Sequence, residues 1–402
     1  MTEPPILMLG IILMTASLVA IVSRRLHLPY SAGLVAGGIV LALLPFDLDL
    51  PLSRDLIFSV FLPPLVFEAA LQLDWPRFRR ELPLTAVLAF AGVAIAAAVV
   101  AAGTHVALGW SWIGAGLFGA LIAATDPVSV IAAFREMKAE PRLALIVESE
   151  SLLNDGAAAV GFVVLAAAAG GMTASVGGVA AFLLLTVFGG IACGAIVGGA
   201  VLLIAGRTKD HMVEITLTTI AAYTSFLLAE HFHMSGVLAT LAAGLVVGNL
   251  GWRGPISEAG RGHVLAFWEF AAFLANSFVF ILIGGHEAHQ PLAAIGGAAL
   301  VAIALVLLGR AVAVYPLSAL FAKSDLRLSW GYQHVLFWGG LRGALGLALA
   351  LALPPTVPER GEIIAVAFAV VAFSIFAQGL TMPWLIRRLG LICDDRAQRE
   401  GG

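Results

Sequence analysis

Thirteen apolar stretches follow one another along this chain, near residues 5–22, 29–46, 54–72, 82–103, 111–134, 141–170, 177–205, 211–230, 234–250, 262–285, 291–321, 329–353 and 361–387. Most are long enough to cross about 30 Å of hydrocarbon as helix. Lipid offers no partner to a backbone N–H or C=O, so each stretch must satisfy its own. The pattern predicts an all-α polytopic membrane protein of about thirteen transmembrane helices. Hydrophobic residues make up 60% of the chain and charged ones 12%, with a mean hydropathy of +1.00, which excludes an ordinary soluble domain. The connections are short, so residues 1–402 read as one membrane domain with no soluble domain. The first stretch carries Glu3, lacks a basic leading segment and is followed by no clear A-x-A site, so it reads as a retained span.

The basic residues fall in alternate connections: Arg24 and Arg25; Arg77, Arg79 and Arg80; Arg135, Lys138 and Arg142; Arg207 and Lys209; Arg253 and Arg261; Lys323 and Arg327; Arg387, Arg388, Arg396 and Arg399. Of 22 Lys and Arg residues, only Arg54 and Arg360 sit in the other connections, and only Arg310 and Arg342 within spans. An error in the span count would scramble that alternation. The positive-inside rule then puts the N-terminus outside and the C-terminus in the cytoplasm. The net charge of −3 says little about partners, and no nucleic-acid partner is expected.

Two spans are interrupted. Thr125-Asp126-Pro127 stands in the middle of the fifth, where Pro127 removes a backbone donor and disfavours helix at Asp126. Gly339-Gly340-Leu341-Arg342-Gly343 breaks the twelfth and carries one charge. Irregular backbone at membrane depth is tolerated only where it lines a cavity or is buried in protein. If spans 1–6 and 8–13 are two halves, the breaks occupy corresponding positions, as inverted repeats require.

The sixth span holds Glu148, Glu150, Ser151, Asn154 and Asp155 in LIVESESLLNDGAAAV. Carboxylates in the hydrocarbon region are costly and usually functional. At about 100° per residue Glu148, Ser151 and Asp155 share one helix face, and Glu150 and Asn154 the neighbouring one. A hydroxyl one turn before a carboxylate makes a hard-oxygen corner for a small cation, and the same carboxylate can instead hold a proton. Asp126 is expected to cap the second half of its helix and shape the site. Arg342 is read as satisfying carbonyl ends of its own broken helix, and Arg310 as the counter-ion of Glu150, since neither charge is then stranded. Glu68 follows Pro63 and Pro64, which suggest shaped backbone, and Glu148 borders the cytoplasmic mouth. His334, Glu269, His263 and Glu214 read as interfacial polar groups. His231 and His233 are weak evidence for a metal site, and Cys193 and Cys393 form neither a disulfide framework nor a metal site. The glycines serve helix packing, no phosphate-binding motif being present.

TDPVSV in the fifth span, ESESLLND in the sixth, GR in the eleventh and GGLRGAL in the twelfth resemble the cation:proton antiporters of the NhaP/NHE type, over nearly the whole chain. The resemblance implies inverted repeats whose two interrupted helices cross at the membrane midplane. It further implies a core from the spans near 82–170 and 291–387, and a dimerisation part from the remaining spans. By similarity Asp155 is the exchanging carboxylate, with Asn154 and Asp126 beside it. Ser151, Glu68 and Thr125 join Asp155 around the cation, and Asn154 bonds across to the Thr125-Asp126 break. Glu150 and Arg310 form a structural ion pair, and Arg342 is the charge in the second break. Asn154 before the aspartate matches the members taken as electroneutral.

The expected function is secondary antiport of Na⁺, with Li⁺ or K⁺ as alternatives, against H⁺, by alternating access in a bacterial inner membrane. No cofactor is expected, and no metal beyond the transported cation. The expected partners are monovalent cations, protons, the bilayer and a second copy of the chain. A cation channel needs a continuous lining and fits two broken helices less well. An intramembrane hydrolase would need a nucleophile such as Ser235 with His231 or His233, and that pattern is weak, so no enzyme is expected.

Overall fold

The computed structural model describes residues 5–26, 29–44, 53, 55–170, 176–287 and 292–392, so Glu3, Arg54, Cys393, Arg396 and Arg399 lie outside the described residues. The fold begins with α1 (Pro5–Leu26), α2 (Tyr30–Leu43) and α3 (Leu62–Gln72). Then come α4 (Trp75–Ala86), α5 (Gly92–Leu108), α6 (Trp112–Ala123), α7 (Val128–Met137) and α8 (Pro141–Ala169). After these run α9 (Val176–Ala205), α10 (His211–His231), α11 (Gly236–Leu250) and α12 (Glu258–Glu287). The chain closes with α13 (Leu292–Leu320), α14 (Trp330–Trp338), α15 (Ala344–Leu351), α16 (Arg360–Phe373) and α17 (Leu380–Leu389). Among the described residues there is no β-strand, only a single bridge between Ala139 and Ile392. Nine helical segments there are long and apolar enough to cross a membrane, and Tyr30–Leu43, Leu56–Gln72 and Trp112–Ala123 are shorter apolar ones.

Hydropathy places the fourth stretch at 82–103, yet the helix runs from Trp75 to Leu108 through a π-helical turn at Val87–Ala91. Its first turns, WPRFRREL, are polar and so escape a hydropathy reading, while Asp74 caps them by accepting from the Arg77 N–H. Another π-helical turn, Leu56–Phe61, precedes α3. There Pro64 has no N–H for the carbonyl four residues earlier, and the Tyr223 hydroxyl donates to that Val60 oxygen at 3.0 Å.

The helices divide into two packed sets. α4–α8 pack with α13–α17, while α1–α3 pack with α9–α12. Each set has a core of its own: Leu84, Phe134, Ile146, Val314 and Val335 in the first, Phe67, Leu202, Ala221, Val247 and Trp268 in the second. A third cluster runs between them. Small residues let backbones touch within the second set. A Cβ on Gly38 would stand 2.1 Å from the Ile281 carbonyl oxygen, and one on Gly284 2.1 Å from that of Val35, so α2 and α12 approach as only glycine permits.

Candidate functional site

The two breaks meet inside the first set. α6 stops at Ala123, residues 124–127 are non-helical, and α7 starts at Val128. α14 stops at Trp338 and α15 starts at Ala344. The Asp126 N–H donates to the Leu341 carbonyl at 2.7 Å, joining one break to the other through backbone. A Cβ on Gly343 would come within 2.3 Å of the Asp126 side chain, so the crossing needs glycine there.

Each interrupted helix leaves carbonyls at one end and amides at the other with no helical partner. Asp126 Oδ1 accepts from the Val128 N–H at 2.9 Å and so caps α7. Arg342 does not serve its own helix as expected. It reaches across and donates through Nη1 to the carbonyls of Ala123 and Ala124 at 2.8 and 3.1 Å, at the buried C-terminal end of α6. The carbonyl end of α14 is served instead by Arg310, whose Nε and Nη2 donate to Leu336 at 3.2 and 3.0 Å, and by Gln378, which donates to Trp338 at 3.0 Å. Arg360, which the sequence marks only as a stray loop charge, donates to Leu353 and Leu351 at the end of α15. Cations at carbonyl ends match the sign of the helix dipole.

α8 runs past the first break and supplies the polar residues. Arg310 also donates in bidentate fashion to Glu150, at 2.8 and 3.0 Å, with 8% and 1% of the two side chains exposed. Asn154 stands one turn on and donates to Glu150 Oε1 at 3.1 Å and to the Thr125 hydroxyl, while its Oδ1 accepts from the Thr125 N–H at 3.1 Å. Thr125 and Ser151 share a hydroxyl–hydroxyl hydrogen bond of 3.0 Å. A continuous network thus runs from Arg310 through Glu150 and Asn154 to the break.

Asp155 stands outside that network. It is half-buried, and among the described residues no group hydrogen-bonds to its carboxylate. It faces a cavity of about 710 Å³ between the two helix sets, lined also by Thr125, Asp126, Glu68, Glu148 and Glu269. Arg24, Arg135 and Glu136 line it too. Ser151 is buried behind this surface and is not among its lining residues. Glu68 accepts from the Gln72 amide, and Gln72 accepts from Arg135 Nη2 at 3.4 Å, which ties α3 to α7 at the rim.

The groups read from sequence as interfacial have distinct surroundings. Glu269 lines the cavity, where only the packing of α12 could have placed it. Glu214 is fully buried and accepts from the Ser257 N–H and hydroxyl at 2.8 and 3.0 Å, fixing the start of α12. His334 bonds to the Tyr315 hydroxyl, and His263 lies beside His211. Ser235 caps α11 by accepting from the Leu238 N–H, and His231 packs edge-on against Phe232. Among the described residues no group of three metal-ligating side chains comes together.

This architecture has solved counterparts. The sodium proton antiporter MjNhaP1 from Methanocaldococcus jannaschii superposes with a TM-score of 0.76 over 95% of this chain and 97% of its own, at 22% identity, a likeness of fold. In sequence, the Na(+)/H(+) antiporter ApNhaP of Aphanothece halophytica is 39% identical over 402 residues, 99% of this chain and 76% of that protein. The Na(+)/H(+) antiporter NhaH of Halobacillus aidingensis is 34% identical over 92% of this chain and 94% of its own. Residues 13–388 match the transmembrane sodium/hydrogen exchanger family. The chain is an integral membrane protein and belongs to that family.

Proposed function

We propose that this protein is a secondary antiporter that exchanges Na⁺ for H⁺, and that the two ions compete for Asp155. The observation that carries the reading is the position of that carboxylate. It lines the cavity beside two broken helices, with Thr125, Asn154, Glu150 and Asp126 each engaged and no hydrogen bond to its own oxygens among the described residues. Relatives named Na(+)/H(+) antiporters over nearly the full chain support Na⁺ above K⁺ or a channel.

Sodium is a hard cation and prefers oxygen donors. The oxygens of Asp155, Thr125 and Glu68 border the cavity. Ser151 joins them when it trades its bond to Thr125 for the ion. Cation entry displaces the proton from Asp155, and proton entry displaces the cation. Either load lets the set containing α4–α8 and α13–α17 slide against the other, and the empty carboxylate does not cross. Competition of this kind couples the two fluxes without a bound cofactor or any covalent step.

The stoichiometry is one for one. Glu150 is held by Arg310, Asn154 carries no charge and Asp126 caps α7, and Asp155 beside them is the exchanging group of this reading. The chain crosses a bacterial inner membrane thirteen times as two inverted repeats, with the N-terminus outside and the C-terminus in the cytoplasm. The cavity, with Arg24 and Arg135 at its rim, then opens to the cytoplasm. The set built from α1–α3 and α9–α12 pairs two copies of the chain. Proteoliposomes with an imposed pH gradient test the exchange: Na⁺ should dissipate the gradient saturably, and K⁺ should not. Under a valinomycin-clamped voltage without a pH gradient, net Na⁺ uptake would contradict one-for-one exchange, and Glu68 would be the first residue to suspect.

A further inference from the structure

A second cavity, of about 660 Å³, lies away from Asp155, where α8 and α14 begin and α13 ends. It belongs to the set that holds the two breaks, and it serves no step of the exchange. Its charges decide what it can take. Arg142 lines it, but Glu81 neutralises that guanidinium through a bidentate pair at 2.8 and 3.0 Å. Arg327 also lines it, is exposed, and among the described residues has no partner for its guanidinium. Glu140 is the opposing group: one oxygen accepts from the Tyr332 hydroxyl, and the carboxylate has further lone pairs. The cavity therefore offers one open cation and one open anion, and no net charge.

Its remaining surface suits the edge of a bilayer. Trp330 and Tyr315, with rings 6.3 Å apart, stand in its wall, and Trp330 is 71% exposed. Leu320, the last residue of α13, is 72% exposed. Aromatic rings beside exposed leucine mark the level of lipid headgroups. Ser318 also lines the cavity, and its buried hydroxyl has no partner among the described residues. An anionic headgroup would leave Glu140 facing like charge. A choline headgroup carries no N–H for that carboxylate.

We infer that this cavity binds a phospholipid headgroup of the phosphoethanolamine class, its phosphate on Arg327 and its primary ammonium on Glu140. The inference rests on the membrane reading of the chain and is independent of which ion Asp155 exchanges. The test uses the full-length, delipidated protein in detergent, titrated with phosphatidylethanolamine, phosphatidylcholine or phosphatidylglycerol and followed by native mass spectrometry. Phosphatidylethanolamine should bind tightest. Glu140→Gln should cut its advantage over phosphatidylglycerol by about tenfold, the worth of one charge-assisted hydrogen bond. Arg327→Ala should weaken both lipids and leave Na⁺-driven proton movement intact. Equal binding of the three lipids to the unaltered protein would overturn the assignment without any variant. So would an undiminished phosphatidylethanolamine preference in both variants.

Discussion

Glu150 and Arg310 show what a buried charge demands of its neighbours. Two oxygens and two guanidinium nitrogens face each other at 2.8 and 3.0 Å, and Arg310 spends its remaining capacity on Leu336. Removing either partner strands the other at a cost on the order of 3–5 kcal/mol, whereas removing both leaves no bare charge. Glu150→Ala and Arg310→Ala should each lower the unfolding temperature more than the double change does. A double-mutant cycle of stability in detergent checks this, and zero coupling would mean the residues do not support each other. At this scale much was legible in the chain, because a charge in an apolar stretch announces itself. Asp155, Glu150 and Arg310 stand out for that reason alone. The partner of Arg342 was not legible: its carbonyls belong to Ala123 and Ala124, more than two hundred residues earlier, and only the meeting of the two breaks brings them within reach. Glu214 was misread because hydropathy reports distance from a span end and says nothing of which face is covered.

At the scale of elements, the crossing of the breaks depends on a glycine. With Gly343→Ala a Cβ would stand 2.3 Å from Asp126, so either the α7 cap or the backbone bond from Asp126 to Leu341 must give. We expect a folded, membrane-inserted variant whose Na⁺-driven proton movement falls by at least about tenfold, in line with about 1.4 kcal/mol lost from the loaded site. Wild-type rates would show that the crossing tolerates the extra carbon. The start of α6 is clasped to the start of α16 by Glu359, which accepts from the Ser111 N–H at 2.9 Å and the Ser111 hydroxyl at 3.0 Å. Partial burial pulls the Glu359 carboxylate upward, and the Ser111 bonds together with its own backbone N–H outweigh it, holding it below its usual 4.5. A lowered folded value means the clasp contributes fully above that ordinary value and is lost as pH falls through the folded one. Thermal unfolding at pH 7 and pH 3.5 should therefore show a larger acid loss in the unaltered protein than in Glu359→Gln. Equal losses would count against the clasp. The breaks themselves were legible from Pro127 and from the glycines around Arg342. The extension of the fourth helix back to Trp75 was not, because its first turns are held by a cap and by Glu81 with Arg142.

At the scale of the whole molecule, two helix sets with their own cores enclose a cavity lined by Asp155 beside the breaks. The apolar stretches and their order were readable from the sequence, and so was the family, since four motifs keep their order along the chain. Which set faces which, and which carboxylates share the cavity, is tertiary information that no local pattern carries. The account stands or falls on Asp155, because Thr125, Asp126, Glu150 and Asn154 beside it are each held by a partner. The direct measurement is Na⁺-driven proton movement and ²²Na⁺ uptake in proteoliposomes carrying purified Asp155→Asn beside the unaltered protein. The amide keeps the shape but can hold no exchangeable proton, so both signals should fall to the level of empty liposomes while the protein remains folded. Substantial coupled exchange by Asp155→Asn would contradict the account and move the proton to another carboxylate of the cavity.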